Sequence, residues 1–209
     1  MANRTSRGIT IPTGDRFDRA IARFDAANAE DPRRESTPAG EEARELVYAR
    51  RMSGWIERLD PGASEALRLA ARSQHLCRWR LPRGAYPEGR QGYLRWRRDC
   101  AELHAGLAAA ILADVGYDAA LIDRVRHLLR KGGLPADPEA ASLEDAACLV
   151  FLEHDLAAFA PKHDEAKLLR ILERTWRKMS PRGREAALGL DLEPPARRLL
   201  EKALARDVG

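Results

Sequence analysis

The sequence predicts an all-α fold, a single helical domain of about nine helices, on three observations. Apolar residues recur at three- and four-residue spacing through most of the chain, and no window alternates polar and β-branched apolar residues as a strand would. Proline, glycine and short polar side chains stand at the ends of the periodic segments. With 209 residues, 44% of them hydrophobic, the chain is long enough to bury one core without disulfides.

Nine segments carry the helical period. They cover residues 15–29, 41–59, 62–79, 92–115, 118–131, 142–159, 162–179, 181–189 and 194–206. Residues 1–14 lack this period and are expected to form a flexible N-terminus, so the single all-helical domain spans 15–209.

The first three predicted helices end at sequences that break helices. Asp31-Pro32 ends the first, and a polar link containing Pro38 follows it. Asp60-Pro61-Gly62 ends the second. The third carries an apolar stripe from Leu67 to Trp79, and a loop rich in proline and glycine follows at 82–92.

The later helices have recognisable starts or stops. Gly116 ends the fourth, Asp118 caps the fifth, and Ser142-Leu-Glu-Asp145 opens the sixth. The seventh ends at Met179, and the last two begin at Ser180-Pro181 and Pro194-Pro195, since proline fits the first turn of a helix.

Composition excludes several classes of protein. No apolar run approaches the roughly 20 residues of a transmembrane helix, and no apolar segment follows the N-terminal arginines as in a secretory signal. The three cysteines, Cys77, Cys100 and Cys148, are widely spaced, which is typical of core thiols in a reducing compartment. We therefore expect a cytoplasmic protein with no membrane partner.

One segment concentrates positive charge and aromatic rings. Between residues 72 and 98 the chain has eight arginines and one acid, although its net charge is only +4. Arginine binds phosphate through paired hydrogen bonds, and aromatic faces stack on bases or guanidinium groups. The sequence predicts an anion-binding loop, and the alternative is a solvated basic loop held to the core by its aromatic rings. The candidate ligand-binding residues are Arg72, Arg78, Arg80, Arg83, Trp79, Tyr86 and Tyr93, together with Lys131.

Four polar residues occupy positions where the helical stripes require apolar side chains: Glu45, His75, His104 and Glu153. Burial of an unpaired charge is costly, so each of them needs a partner. Two imidazoles and two carboxylates suit a divalent metal such as Fe, Mn, Co or Zn. The alternative is that each histidine is a satisfied core residue and that Glu45, which follows Glu41 and Glu42, only stabilises the helix N-terminus.

Three segments carry a resemblance to a known family. The runs ELVYARRM (45–52), AARSQH (70–75) and LEDAACLVFLE (143–153) resemble the domain of unknown function 4202 family, from about Phe17 to Ala203. That family has no established activity. More distantly, the order of these segments is similar to that of HD-domain metal-dependent phosphohydrolases, which implies an HD-like core. Glu45, Gln74-His75 and Glu153 then stand where HD domains have His, His-Asp and Asp.

The resemblance implies a metal-dependent hydrolase of a small phosphorylated metabolite or nucleotide, with Glu144 and Asp145 orienting a water or a ligand imidazole. For these two acids the alternative is a capping box with Ser142. Two other functions stay open. One is a non-catalytic module that binds RNA or an anionic ligand, and the other is an iron- or manganese-dependent oxygenase on an HD-like scaffold.

Overall fold

The computed structural model describes residues 13–131 and 136–207. Within these ranges the chain forms ten α-helices and one short hairpin. The helices are Thr13–Ala29 (α1), Arg44–Leu59 (α2), Glu65–Ser73 (α3), Gly89–Asp114 (α4), Ala119–Leu129 (α5), Pro138–Val150 (α6), Leu156–Phe159 (α7), Glu165–Lys178 (α8), Pro181–Leu188 (α9) and Pro194–Asp207 (α10). The predicted all-α class is confirmed. The expected flexible N-terminus lies outside the described residues up to 12, and Thr13 and Gly14 already belong to α1.

One core joins these helices. Helix α2 packs against α1, α3 and α6, while α5 packs against α3 and α4. The largest fully buried side chains include Met52, Leu67, Leu128 and Leu149, which come from four different helices. All three cysteines are free and buried, as the sequence predicts. No helix in the two described ranges has both the length and the apolar character needed to cross a membrane.

The hairpin lies where the sequence predicts only a polar link. Arg34–Thr37 (β1) pairs antiparallel with Gly40–Ala43 (β2), and Gly40 adopts a φ of 114° at the turn. The prediction of a strandless chain is wrong here because the strands are almost entirely polar. Only Ala43 is buried, so no alternating pattern marks them.

Helix α3 ends at Ser73, six residues before the predicted end at 79. A turn follows in which Cys77 adopts the left-handed conformation, with a φ of 56°. The buried Asn28 side chain stabilises this turn, because its Oδ1 accepts a hydrogen bond from the Cys77 N–H at 3.0 Å. An α-helix cannot pass through a left-handed residue, so Gln74 and His75 lie on a turn, and Arg78 begins a short 3-10 helix over Arg78–Arg80.

The sixth predicted helix differs at both ends. It begins at Pro138, where the Asp137 side chain caps it, and not at Ser142. A π-helical turn then interrupts it over Phe151–Asp155. A π turn holds an extra residue, so the apolar period assumed for 142–159 does not continue through Glu153.

The loop after α3 packs against the first turns of α4. Trp96 donates from its indole Nε1 to the Leu81 carbonyl at 2.9 Å. Arg83 closes the loop on itself by donating to the carbonyls of Tyr86 and Pro87, each at 3.0 Å. These bonds hold the loop against the helix that carries His104.

Gly92 sets how closely this loop approaches α4. A Cβ at Gly92 would lie 1.9 Å from the Pro87 carbonyl oxygen, whereas one at Gly106 on the same helix would meet nothing within 4 Å.

We expect Gly92→Ala to lower the free energy of unfolding by about 1–3 kcal/mol, because the loop must move away. Gly106→Ala is the control and should stabilise the protein by up to about 1 kcal/mol. Urea unfolding of both variants tests this, and equal effects would contradict it.

Candidate functional site

The candidate site lies where three elements meet: the first turn of α2, the turn after α3 and the middle of α4. Glu45 comes from α2, His75 from the turn and His104 from α4. Glu45 and His104 are buried, and the His75 side chain is about one-fifth exposed. The sequence predicts these three as partners, and the structure brings them together.

A chain of polar contacts links Arg33, Glu45, His75 and Arg78. Arg33 Nη2 donates to Glu45 Oε1 at 2.6 Å, and Glu45 Oε2 lies 3.2 Å from His75 Nδ1. On the other side of the ring, Arg78 Nη1 contacts His75 Nε2. A guanidinium group can only donate, so Nε2 accepts and the proton of the neutral imidazole is on Nδ1, the nitrogen that faces Glu45.

His75 is neutral in this setting. Its ring stacks on Tyr48 with 3.8 Å between the ring centroids and 10° between the planes. Burial, together with the positive charges of Arg78 and Lys131, holds the pKa of His75 well below 6.5. Burial also raises the pKa of Glu45, although Arg78 and Arg33 favour its ionised form.

His104 adds a second buried imidazole. Its ring centroid lies 5.7 Å from that of His75, and its Nε2 has no hydrogen-bond partner among the described residues. Burial, followed by the proximity of His75 and Arg78, keeps the pKa of His104 well below 6.5. The structure therefore holds His104 as an uncharged group with a free ring nitrogen.

Asp31 and Arg33 anchor Glu45. Arg33 donates to both carboxylate oxygens of the fully buried Asp31, at 3.0 and 2.9 Å, and Asp31 accepts the Glu45 backbone N–H at 3.2 Å. Burial opposes ionisation of Asp31, but its bonds with Arg33 lower its pKa overall. The sequence reasoning missed this pair because Asp31 precedes a proline and resembles a helix stop. The available signal was the spacing, an aspartate two residues before an arginine, and this spacing does not reveal burial.

Two adjoining cavities open beside His75. The first, which we name the Gln74 cavity, has a volume of about 360 Å³, and the second, the Glu45 cavity, about 440 Å³. They share three lining residues, His75, Arg78 and Trp96, and the Arg78 guanidinium stacks over the Trp96 ring at 4.7 Å.

Basic side chains dominate the walls of both cavities. The Gln74 cavity is lined by one acid, Glu102, and by five cations: Arg78, Arg97, Arg98, Arg130 and Lys131. The Glu45 cavity is lined by three acids and by five arginines: Arg33, Arg44, Arg51, Arg78 and Arg83. Most of these cations already contact carboxylates. Among the described residues, Arg78, Arg83 and Arg97 have no carboxylate within salt-bridge distance, and Arg83 donates instead to the carbonyls of Tyr86 and Pro87.

The predicted basic and aromatic residues divide between the cavities and other surroundings. Arg78, Trp79, Arg83 and Lys131 line a cavity. Arg72 instead forms two hydrogen bonds with Asp25, at 2.7 and 2.6 Å, and Arg80 lies 3.5 Å from Glu30. Tyr86 and Tyr93 line neither cavity. The segment 72–98 is therefore not one continuous binding loop.

Glu153 lies apart from the predicted cluster. Its Oε2 accepts from the Trp55 indole at 2.8 Å and lies 3.1 Å from His154 and 3.8 Å from Arg58. The π-helical turn that contains Glu153 accounts for this difference, because it changes the direction of the side chains relative to a regular α-helix.

Glu144 and Asp145 are buried, and each already has protein partners. Lys131 contacts Glu144, and Lys178 lies 3.6 Å from it. Burial opposes the ionised form of Glu144, but these lysines lower its pKa overall. Asp145 accepts the Ser180 backbone N–H at 2.8 Å and the Ser180 hydroxyl, and so fastens the start of α9. The capping box with Ser142 does not form, since α6 begins at Pro138.

A comparison with protein-family models identifies the chain. The model described as Domain of unknown function (DUF4202) matches residues 18–200. The chain belongs to the DUF4202 family. No curated protein and no solved structure matches it.

The DUF4202 site does not fit a metal in this arrangement. In the two described ranges, no group of three or more His, Cys, Asp or Glu side chains could hold a metal ion. Glu45 is bound to Arg33, and the Arg78 cation contacts the ring nitrogen of His75 that a metal would need.

Elemental analysis tests this reading. We expect the purified protein to contain Fe, Mn, Co and Zn far below one equivalent, because the Arg78 guanidinium contacts His75 Nε2 and Arg33 donates to Glu45. Stoichiometric metal that is lost in His75→Ala and His104→Ala variants, each folded by circular dichroism, would contradict the expectation. It would favour the predicted metal-dependent hydrolase or oxygenase.

The low pKa of His104 predicts a pH-dependent stability. Below about pH 6.5 His104 is protonated in the unfolded chain but not in the folded chain. The free energy of unfolding therefore decreases as the pH is lowered, by up to about 1.4 kcal/mol per pH unit. A His104→Leu variant lacks this contribution, and we expect its stability to decline less steeply. Urea unfolding between about pH 7.5 and pH 5.5 measures the difference, and parallel profiles would contradict the prediction.

Proposed function

We propose that this DUF4202 protein binds a small phosphorylated ligand in the cleft formed by the Gln74 and Glu45 cavities, and that the Glu45–His75 pair promotes hydrolysis of the phosphate group. The observation that carries the proposal is the position of Arg78. Its guanidinium lies at the junction of both cavities and contacts a neutral imidazole and an aromatic face instead of a carboxylate.

The charge of Arg78 supports anion binding. A cation in a partly enclosed site attracts an anion more strongly when no carboxylate neutralises it, and arginine matches the oxygens of phosphate in geometry. Arg97, also without a carboxylate in salt-bridge distance among the described residues, lines the same cavity. Paired cations such as Arg130 and Lys131 add to the positive potential at the wall.

The Glu45–His75 pair supplies a proton acceptor. When a phosphate group binds the Arg78 guanidinium, Arg78 no longer donates to His75 Nε2, and this nitrogen faces the ligand. The anion also offsets the charge that depresses the pKa of His75, so the imidazole becomes a better base. Glu45 then stabilises the imidazolium and holds its orientation, as a carboxylate does behind a catalytic histidine.

The hydrolytic step balances without a further reactant. His75 Nε2 accepts a proton from a water molecule as the water oxygen bonds to phosphorus. The bond between phosphorus and the ester oxygen breaks, and that oxygen leaves with the proton that the imidazolium returns. Inorganic phosphate and an alcohol are the products.

Binding and hydrolysis are tested separately with matched variants. We expect Arg78→Gln to raise the Kd for inorganic phosphate at low salt by at least about tenfold, the effect of losing one charged hydrogen bond. Arg198→Gln, at an exposed position on α10, is the control and should change the Kd by less than about twofold. Isothermal titration calorimetry gives both values. An Arg78→Gln variant that binds as wild type does would refute the proposal.

The His75→Asn variant tests the chemistry. We expect it to bind phosphate while phosphate release from a panel of phosphorylated metabolites falls at least about a hundredfold. A wild-type protein that binds phosphate without turning over any member of the panel would favour the non-catalytic alternative.

A binding role for RNA has one observation of its own. Tyr93 and Leu94 are large side chains on α4 that are 44% and 51% exposed, and arginines flank them. Aromatic rings beside arginines suit single-stranded nucleic acid. RNA affinity that falls steeply with salt and survives His75→Asn would support this second function.

The three free, buried thiols support a reducing compartment such as the cytoplasm.

A further inference from the structure

We propose that the Gln74 cavity holds a hydroxyl-bearing ring of the phosphorylated ligand, so that the substrate class is a phosphorylated sugar, either free or as the sugar phosphate of a nucleotide. The inference rests on the proposed function. It assigns Gln74 and His104 as the residues that select the ligand.

Two buried polar atoms at this cavity lack partners. Gln74 Oε1 and His104 Nε2 have no hydrogen bond among the described residues, and both residues line the Gln74 cavity. Gln74 is 6% exposed and His104 is 4% exposed. Native proteins rarely leave buried polar atoms unpaired, so a group that enters the cavity is expected to satisfy them.

The chemistry of the two atoms defines that group. An amide oxygen only accepts hydrogen bonds, while a neutral imidazole nitrogen donates or accepts according to its tautomer. A hydroxyl group can donate to Gln74 Oε1 and can either donate to or accept from His104 Nε2. A hydrocarbon offers neither bond, and a carboxylate cannot donate to the amide oxygen.

The surroundings place the phosphate beside the hydroxyl groups. Arg78 and Arg97 line the same cavity as Gln74 and His104, so an anion at these arginines has the two unpaired atoms within the same enclosure. Trp96 forms part of the wall and offers an apolar surface on which the carbon face of a sugar ring can pack. The volume of about 360 Å³ lies in the range of small-molecule sites.

Calorimetric titration with inorganic phosphate, ribose 5-phosphate and AMP tests the inference. We expect wild type to bind ribose 5-phosphate at least about tenfold more tightly than phosphate. In Gln74→Leu and His104→Leu that advantage is expected to disappear, so that each variant binds ribose 5-phosphate no more tightly than it binds phosphate. Gln91→Leu, at an exposed glutamine on α4, is the control.

Stability separates ligand selection from a structural role. Because Gln74 Oε1 and His104 Nε2 have no partner among the described residues, Gln74→Leu and His104→Leu should keep or raise the Tm at pH 7.5, where histidine is neutral in both folded and unfolded chains. A loss of sugar-phosphate affinity that is accompanied by a fall in Tm would count against the inference. The two leucine variants are read independently, so failure of one to fold leaves the other as the test.

The remaining outcomes distinguish a free sugar phosphate from a nucleotide, and failure of this inference from failure of the proposed function. AMP binding tighter than ribose 5-phosphate identifies a nucleotide, and weaker binding identifies a free sugar phosphate. If phosphate binds and ribose 5-phosphate binds no more tightly than phosphate, this inference fails and the proposed function stands. If neither phosphate nor ribose 5-phosphate binds, both fail.

Discussion

The hydrogen bond from the Cys77 N–H to Asn28 Oδ1 is the constraint on which the site depends. It joins α1 to the chain just after α3 and stabilises a left-handed residue where the helix would otherwise continue. The resulting turn directs Gln74 to the cavity that His104 also lines and places His75 at the junction of the two cavities. If α3 continued as a regular helix, His75 would lie on the same face as the buried Leu67 and Ala71.

Most of the fold was predictable because it depends on local patterns. The helices α5, α8, α9 and α10 begin and end within about three residues of the predicted bounds, since capping residues and prolines mark them. The hairpin and the early end of α3 were not predictable in this way. Both depend on tertiary contacts, and the left-handed conformation of Cys77 has no signature in composition or period.

Part of the site was also predictable from local sequence patterns. A polar residue on an apolar stripe indicates burial, and this signal found Glu45 and His104, which are buried, and His75, which is mostly so. It could not identify their partners. Arg33 reaches Glu45 from a segment that has no helical period, and Arg78 reaches His75 only because the turn bends the chain back.

The π-helical turn over Phe151–Asp155 has a consequence for length variation in this family. Such a turn accommodates one residue more than a regular α-helix over the same distance. A chain with one residue fewer here would restore continuous α-helical geometry, and the residues on either side would keep their orientation relative to one another. Two family members differing by this single deletion would therefore present different side chains beside Trp55, while the helices on both sides kept their packing.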